Sequence, residues 1–249
     1  MKDKGIFLNH VSFQYGAAPK ELNDITAFIA ADSFCGVTGT NGSGKTTLTY
    51  LLNGLIPHQI DGKLSGNVLI DGVNTKDKSV SYFSRKVGLV FQNPDFMIFN
   101  LTLREEVAFG LSNLGFDRID ERITSALKEV GLKGYERRDP HTLSMGQKQK
   151  LCIASVLAME TPYIVLDEPT AMLDYKNTLR LYRLLTSLHR KGKTIIIVEH
   201  DTDFLFTYAS DILLLDKGSL AIEGKPKQVF SQKQKLTRMG IKIPKKIIL

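Results

Sequence analysis

Only two of the 249 residues are cysteine, Cys35 in a strand-like run and Cys152 in a helical one, with no C-x-x-C spacing. That excludes a disulfide framework or a thiolate metal site and leaves two buried free thiols as the expectation. Long apolar runs are missing as well: nothing approaches the ~18 uninterrupted apolar residues that a bilayer span requires. The opening residues, Met1 to Phe7, lack the apolar core of a secretory leader, so a chain kept in the cytoplasm is expected. Internal repeats and low-complexity linkers are absent. The basic excess is concentrated in one segment, the C-terminal tail. Lys225 to Leu249 carries eight Lys or Arg and no Asp or Glu, and since the net charge is +7 the preceding residues stand near −1. A near-neutral body with a basic tail is not the broad basic face of a nucleic-acid binder, so no nucleic-acid partner is expected. The tail reads as a solvated segment or as one lying near an anionic membrane face.

What is present is more specific. At 27.8 kDa, with 43% apolar and 24% charged residues, the chain has enough material for one sizeable soluble core and a smaller lobe. Gly39-Thr40-Asn41-Gly42-Ser43-Gly44-Lys45-Thr46 fits G-x-x-x-x-G-K-[ST]. Glycines there let successive backbone N–H groups point inward at a polyphosphate. Lys45 supplies a point charge for the outer phosphates, Thr46 a hydroxyl for Mg²⁺, and Thr47 completes the nucleotide-binding set. Further on, Tyr163-Ile164-Val165-Leu166-Asp167-Glu168 is a buried strand ending in two carboxylates. Asp167 is suited to holding a metal ion and Glu168 to orienting or deprotonating an attacking water. In this order the two segments indicate hydrolysis of a nucleoside triphosphate.

Periodicity places these motifs. Strands are expected at 6–13, 22–30 and 33–38, with a helix over 45–55 whose N-terminus faces the phosphates. Shorter strands are expected at 67–70 and 86–91. Helical spacing of Leu103, Val107 and Leu111, then Ile123, Leu127 and Val130, suggests a helical lobe between core strands. A helix from Gly146 to about Glu160, the 163–167 strand, a 179–189 helix, a 194–198 strand and a hairpin over 211–222 complete an alternation of strands and helices. That alternation implies a mainly parallel sheet.

Leu143-Ser144-Met145-Gly146-Gln147 resembles the Leu-Ser-Gly-Gly-Gln signature of ABC ATPases, and other landmarks of that family follow in order. The resemblance implies an α/β P-loop NTPase fold of the ABC ATPase kind: a core with a mainly parallel sheet, an N-terminal antiparallel β subdomain and an inserted α-helical lobe. Residues 1–224 would form the ATPase domain, with the lobe at about 101–145, and 225–249 a basic C-terminal extension. Tyr15 stands where the family stacks an aromatic on adenine. Gln92 matches the Q-loop glutamine, which joins Thr46 and Asp167 at the metal, and Asp174 lies in the D-loop of Ala171-Met172-Leu173-Asp174. His200 matches the switch histidine, making Glu168, His200 and Gln92 the catalytic set. Ser144, Met145, Gly146 and Gln147 would grip the ATP of an opposing subunit, since Ser and Gly at a helix head offer a hydroxyl and free N–H groups. Met145 departs from the usual glycine; its N–H survives, but its side chain needs room near the dimer seam.

Asn53-Gly54-Leu55-Ile56-Pro57-His58 and Phe91-Gln92-Asn93-Pro94-Asp95 look like the energy-coupling-factor subfamily of vitamin and transition-metal importers. Phe96-Met97 after Asp95 departs from its frequent Asn-Gln. Membership implies ATP with Mg²⁺, a second ATPase subunit (identical or paralogous), a transmembrane scaffold subunit and a substrate-binding membrane subunit. It also implies a peripheral position on the cytoplasmic face of the cell membrane. The apolar run Phe96-Met97-Ile98-Phe99 is then expected either to seat a scaffold helix or to pack the lobe onto the core. Two other readings share the catalytic motifs: the ATPase of an importer served by a solute-binding protein, and a soluble ABC ATPase of DNA repair or translation. The latter would need a coiled-coil insertion or a second ATPase domain, and neither is in this sequence.

Overall fold

A computed structural model describes residues 4–248. The chain begins with β1 (Gly5–Gln14), β2 (Lys20–Ala30) and β3 (Phe34–Gly39). After the phosphate loop come α1 (Lys45–Leu52), a short α2 (Leu55–His58), β4 (Lys63–Ile70), β5 (Val73–Asn74), α3 (Val80–Ser84) and β6 (Val87–Val90). Three helices follow, α4 (Leu103–Asn113), α5 (Ile119–Glu129) and α6 (Met145–Ala158). Next are β7 (Tyr163–Asp167), α7 (Tyr175–Arg190), β8 (Thr194–Val198) and α8 (Thr202–Tyr208). The β9 (Asp211–Asp216) and β10 (Ser219–Gly224) hairpin, α9 (Pro226–Phe230), α10 (Lys233–Arg238) and α11 (Lys245–Ile248) end the described chain.

The strands form two sheets. An antiparallel one runs β2-β1-β4-β5; the other, in the order β10-β9-β3-β8-β7-β6, is parallel except for its edge strand β10. Alternation along the parallel strands explains how the layers stack. In β7, Tyr163 and Val165 join a core with Leu48, Leu51 and the inner residues of the antiparallel sheet. Ile164 and Leu166 face the opposite way, into a second core with Leu151, Leu181 and the helical lobe. A strand covered on both faces must be apolar there, which is why residues 163–166 of β7 and 195–198 of β8 read as hydrophobic runs.

Four expectations need correction. The first helix stops at Leu52 rather than Leu55, because Gly54 turns left-handed (φ 78) and starts a separate short turn. The signature helix starts at Met145 rather than Gly146, and α7 begins at Tyr175, four residues before the apolar periodicity becomes visible. The basic tail is not a solvated segment: Val229, Phe230 and Leu236 are fully buried and join the lobe-side core. Its charges sit on the outer faces of short helices whose apolar residues cover α8 and β10. Both cysteines are free and buried as expected, and burial raises the Cys35 thiol to about 12.

Candidate active site

Three parallel strands end side by side, and each delivers one polar side chain to the same point. Gln92 follows β6, Glu168 follows β7 and His200 follows β8. Glu168 is the centre: its Oε1 lies 2.8 Å from His200 Nε2 and its Oε2 accepts from Gln92 Nε2 at 3.1 Å. Glu168 also holds a left-handed backbone (φ 45), an arrangement that costs a non-glycine residue about 1–3 kcal/mol. The surroundings enforce it. The Glu168 N–H donates to the Val198 carbonyl at 3.1 Å, and the Ala171 N–H donates to the Glu168 carbonyl at 3.1 Å.

The phosphate loop hangs from β3, which lies next to β8 in the sheet. Gly39 is obligatory there: a Cβ on it would stand 2.2 Å from the Leu215 carbonyl oxygen. Gly44 is left-handed (φ 89), and a Cβ on it would meet Leu22 at 2.5 Å. No side chain caps α1, which therefore opens with backbone N–H groups turned toward the loop. Lys45 Nζ donates to the carbonyls of Gly39 (3.2 Å) and Thr40 (2.9 Å), two neutral acceptors. Burial lowers its pKa, offset in part by the charges of Glu168 and Asp167. An ammonium hydrogen-bonded only to neutral carbonyls, with two carboxylates acting on it through space, is set to take a polyphosphate as its counter-charge. Tyr15 reaches the same helix, its hydroxyl 3.0 Å from Thr47 Oγ1.

Asp167 is buried, and its Oδ1 has no hydrogen-bond partner among the described residues. Burial raises its pKa, and a hydrogen bond from Thr46 opposes the rise. An orphaned carboxylate oxygen beside a threonine hydroxyl suits a hard cation. No cluster of three His, Cys, Asp or Glu accompanies it among the described residues. A divalent ion here would therefore take most of its coordination from phosphate oxygens and water, as Mg²⁺ does.

Residues 22–171 match the ABC transporter family. The chain belongs to the ABC transporter ATPases. It is 40% identical over 237 residues, 94% of its length and 83% of the relative's, to the energy-coupling factor transporter ATP-binding protein EcfA of Methanocaldococcus jannaschii. Its fold is similar to that of CbiO1 from Clostridium perfringens, part of the ABC transporter complex CbiONQ. That match has a TM-score of 0.83 and 30% identity, and covers 97% of this chain and 96% of the other. A dimeric ATP-binding cassette in a post-hydrolysis state with bound ADP and Pi matches with a TM-score of 0.76 and 28% identity, over 89% of this chain and 98% of that one.

The residues that resemble the ABC signature stand at the head of α6. Ser144 caps α6, its Oγ accepting from the Gln147 N–H at 3.4 Å while Gln147 Oε1 accepts from the Ser144 N–H at 3.0 Å. This capping box sets Ser144 and the Gly146 amide at an exposed helix head, and Met145 is only partly buried beside them. α6 packs on α4, α5 and the segment after Gln92. Asp174 caps α7 by accepting from the Asn177 N–H at 2.7 Å, and Asn177 in turn lies against Gly146. Asp174 and the 144–147 segment are thus neighbours on one surface, a relation that sequence spacing could not reveal.

Glu199 was not singled out in the sequence, yet it ties together the backbone behind this cluster. Its buried carboxylate accepts from the His200 N–H at 2.8 Å, the Asp201 N–H at 3.3 Å and the Thr170 hydroxyl. It bridges the segment after Glu168 to the one carrying His200. Burial pushes its pKa up against the pull of those three donors. A charged residue at the end of an otherwise apolar strand was the available signal.

Proposed function

We propose that this chain is the ATP-binding and ATP-hydrolysing subunit of an energy-coupling-factor importer, powering uptake of a vitamin or transition metal ion through a membrane scaffold subunit. The observation that carries the catalytic part is the Glu168 carboxylate, held by Gln92 and His200 at the mouth of the phosphate loop. Lys45 and the loop amides bind the phosphates. Mg²⁺, held by Thr46, Asp167 and Gln92, would neutralise charge on the transferring phosphoryl group. Glu168 aligns a water and takes its proton, and His200 holds Glu168 and donates to the γ-phosphate. Tyr15 stacks on the adenine.

Each site needs a second subunit. Ser144, Met145, Gly146 and Gln147 face outward beside Asp174, and in this reading they close over the ATP of the opposing ATPase, a copy or a paralogue. The similarity to EcfA and CbiO1 supports the importer reading over one served by a solute-binding protein. No helix among the described residues is long and apolar enough to cross a membrane, so transport requires membrane partners.

Those partners have a surface to bind. Phe96 is 79% exposed, Phe99 60% and Leu101 80%, while Ile98 between them is buried. The run is divided: Ile98 packs the lobe onto the core, and the phenylalanines point outward, Phe99 edge-on to the half-exposed Phe109 at 4.7 Å. A buried Glu106 Oε2 fixes the loop by accepting from the Phe99 N–H (3.1 Å), the Asn100 N–H (3.0 Å) and Asn100 Nδ2 (3.0 Å). This patch would seat the scaffold subunit on the cytoplasmic face of the membrane. Affinity purification from membranes tests the whole reading. Recovery of a multi-spanning scaffold with a small substrate-binding membrane subunit is expected. Recovery with a soluble solute-binding protein's permease, or with no membrane protein, would sink it.

A further inference from the structure

The tail does more than cover apolar surface. Past α10 the chain crosses α8 as an extended strap, with Ile241 and Pro244 buried and Ile243 and Ile247 packed on the same core. Between these anchors Lys242 projects its ammonium at two carboxylates, 2.7 Å from Asp203 Oδ2 and 3.3 Å from Asp201 Oδ1. The Lys245 N–H donates to the other Asp203 oxygen at 2.6 Å, so Asp203 is held from both sides. Asp201 Oδ1 also caps α8 by accepting from the Asp203 N–H at 2.9 Å. Asp201 is the residue after His200.

We propose that Lys242 is a positioning residue for His200. The His200 backbone is fixed behind by Glu199, which takes the amides of both His200 and Asp201. It is fixed ahead by Asp201, whose side chain is clamped between the α8 amide and Lys242. An isolated exposed ion pair would hold little. Here one ammonium bridges two carboxylates on a strap anchored by buried residues at either side, and a backbone amide shares the load. Without Lys242, two neighbouring carboxylates at the head of α8 repel each other with no counter-charge on the strap. The loop bearing His200 then relaxes away from Glu168, 2.8 Å from His200 Nε2 in the clamped form.

Resting on the reading of His200 given above, the test compares Lys242→Gln, Lys242→Arg and His200→Ala in the complex recovered from membranes, following ATP hydrolysis against ATP concentration. Lys225→Gln is the control, because Lys225 pairs with Asp211 elsewhere on the tail. The expected result is a kcat about tenfold lower in Lys242→Gln, a fraction of the 10²–10⁴ that a placed proton-transfer group contributes. KM for ATP should be unchanged, Lys242→Arg should restore most of the rate, and Lys225→Gln should be silent. Should Lys242→Gln fold poorly, Asp201→Asn keeps the α8 cap but removes the charge that Lys242 holds beside His200, and should give a kcat-only loss in the same direction. Wild-type kcat in Lys242→Gln or Asp201→Asn, while His200→Ala is inactive, would overturn the positioning role alone. A fully active His200→Ala would overturn the reading of His200 itself, whatever Lys242→Gln does.

Discussion

Lys148 Nζ lies 2.6 Å from Asp95 Oδ1, joining the first turn of the signature helix to the segment that leads away from Gln92. One end is four residues past Ser144 and the other three past Gln92. A single ion pair, with Lys148 only 13% exposed, therefore links, in the function proposed above, the side that reads the chain's own nucleotide to the side offered to the opposing one. Lys148→Met and Asp95→Asn should be non-additive in a double-mutant cycle by about 0.5–3 kcal/mol, as residues of one shared contact are. Chemical denaturation of the two single variants and the double variant measures it, and additive losses would remove the coupling.

Glu168→Gln should lower ATP turnover on the order of 10²–10³-fold while ATP still binds, because Lys45 and the loop amides are untouched. With hydrolysis blocked, MgATP should trap a dimer visible by size-exclusion chromatography, with itself or with a paralogue. Glu168→Gly should lose activity similarly but gain about 1 kcal/mol of stability, since glycine occupies φ 45 without strain. An unchanged turnover in Glu168→Gln would remove the residue from the chemistry.

Phe96→Asp and Phe99→Asp should release the ATPase from membranes and leave melting temperature and nucleotide affinity close to wild type, since both side chains are mostly exposed. Ile98→Asp, in contrast, should destabilise the fold by placing an unpaired charge in the core. Fractionation alongside thermal melts separates the two outcomes. A large stability loss at Phe96 would return the run to a packing role.

Burial raises the Asp203 carboxyl, but Lys242 and the Lys245 amide outweigh it, and its pKa stays below the ordinary 3.8. A group whose folded value is depressed stabilises above its unfolded pKa and loses that contribution as pH falls through the folded one. The stability gap between wild type and Asp203→Asn should therefore be constant from about pH 6 to 8 and close below about pH 4. A gap that widens on acidification would contradict the clamp.

Local chemistry made much of this molecule legible in its sequence. The phosphate loop shows because only glycines tolerate the backbone of Gly39 and Gly44, and β7 and β8 show because a strand must be apolar where it is covered on both faces. Helix heads at Ser144 and Asp174 announce themselves by their capping residues. Other features depend on contacts between distant segments, which no local pattern encodes. Phe96 and Ile98 have the same hydrophobic character, yet one faces solvent and the other the core, because the lobe docks on one side of the loop only. The tail's charges suggested solvent, while three of its apolar residues had already committed it to the core. Glu199 was hidden for the same reason: a carboxylate can sit buried at a strand end only where folding brings a threonine hydroxyl and two amides to meet it.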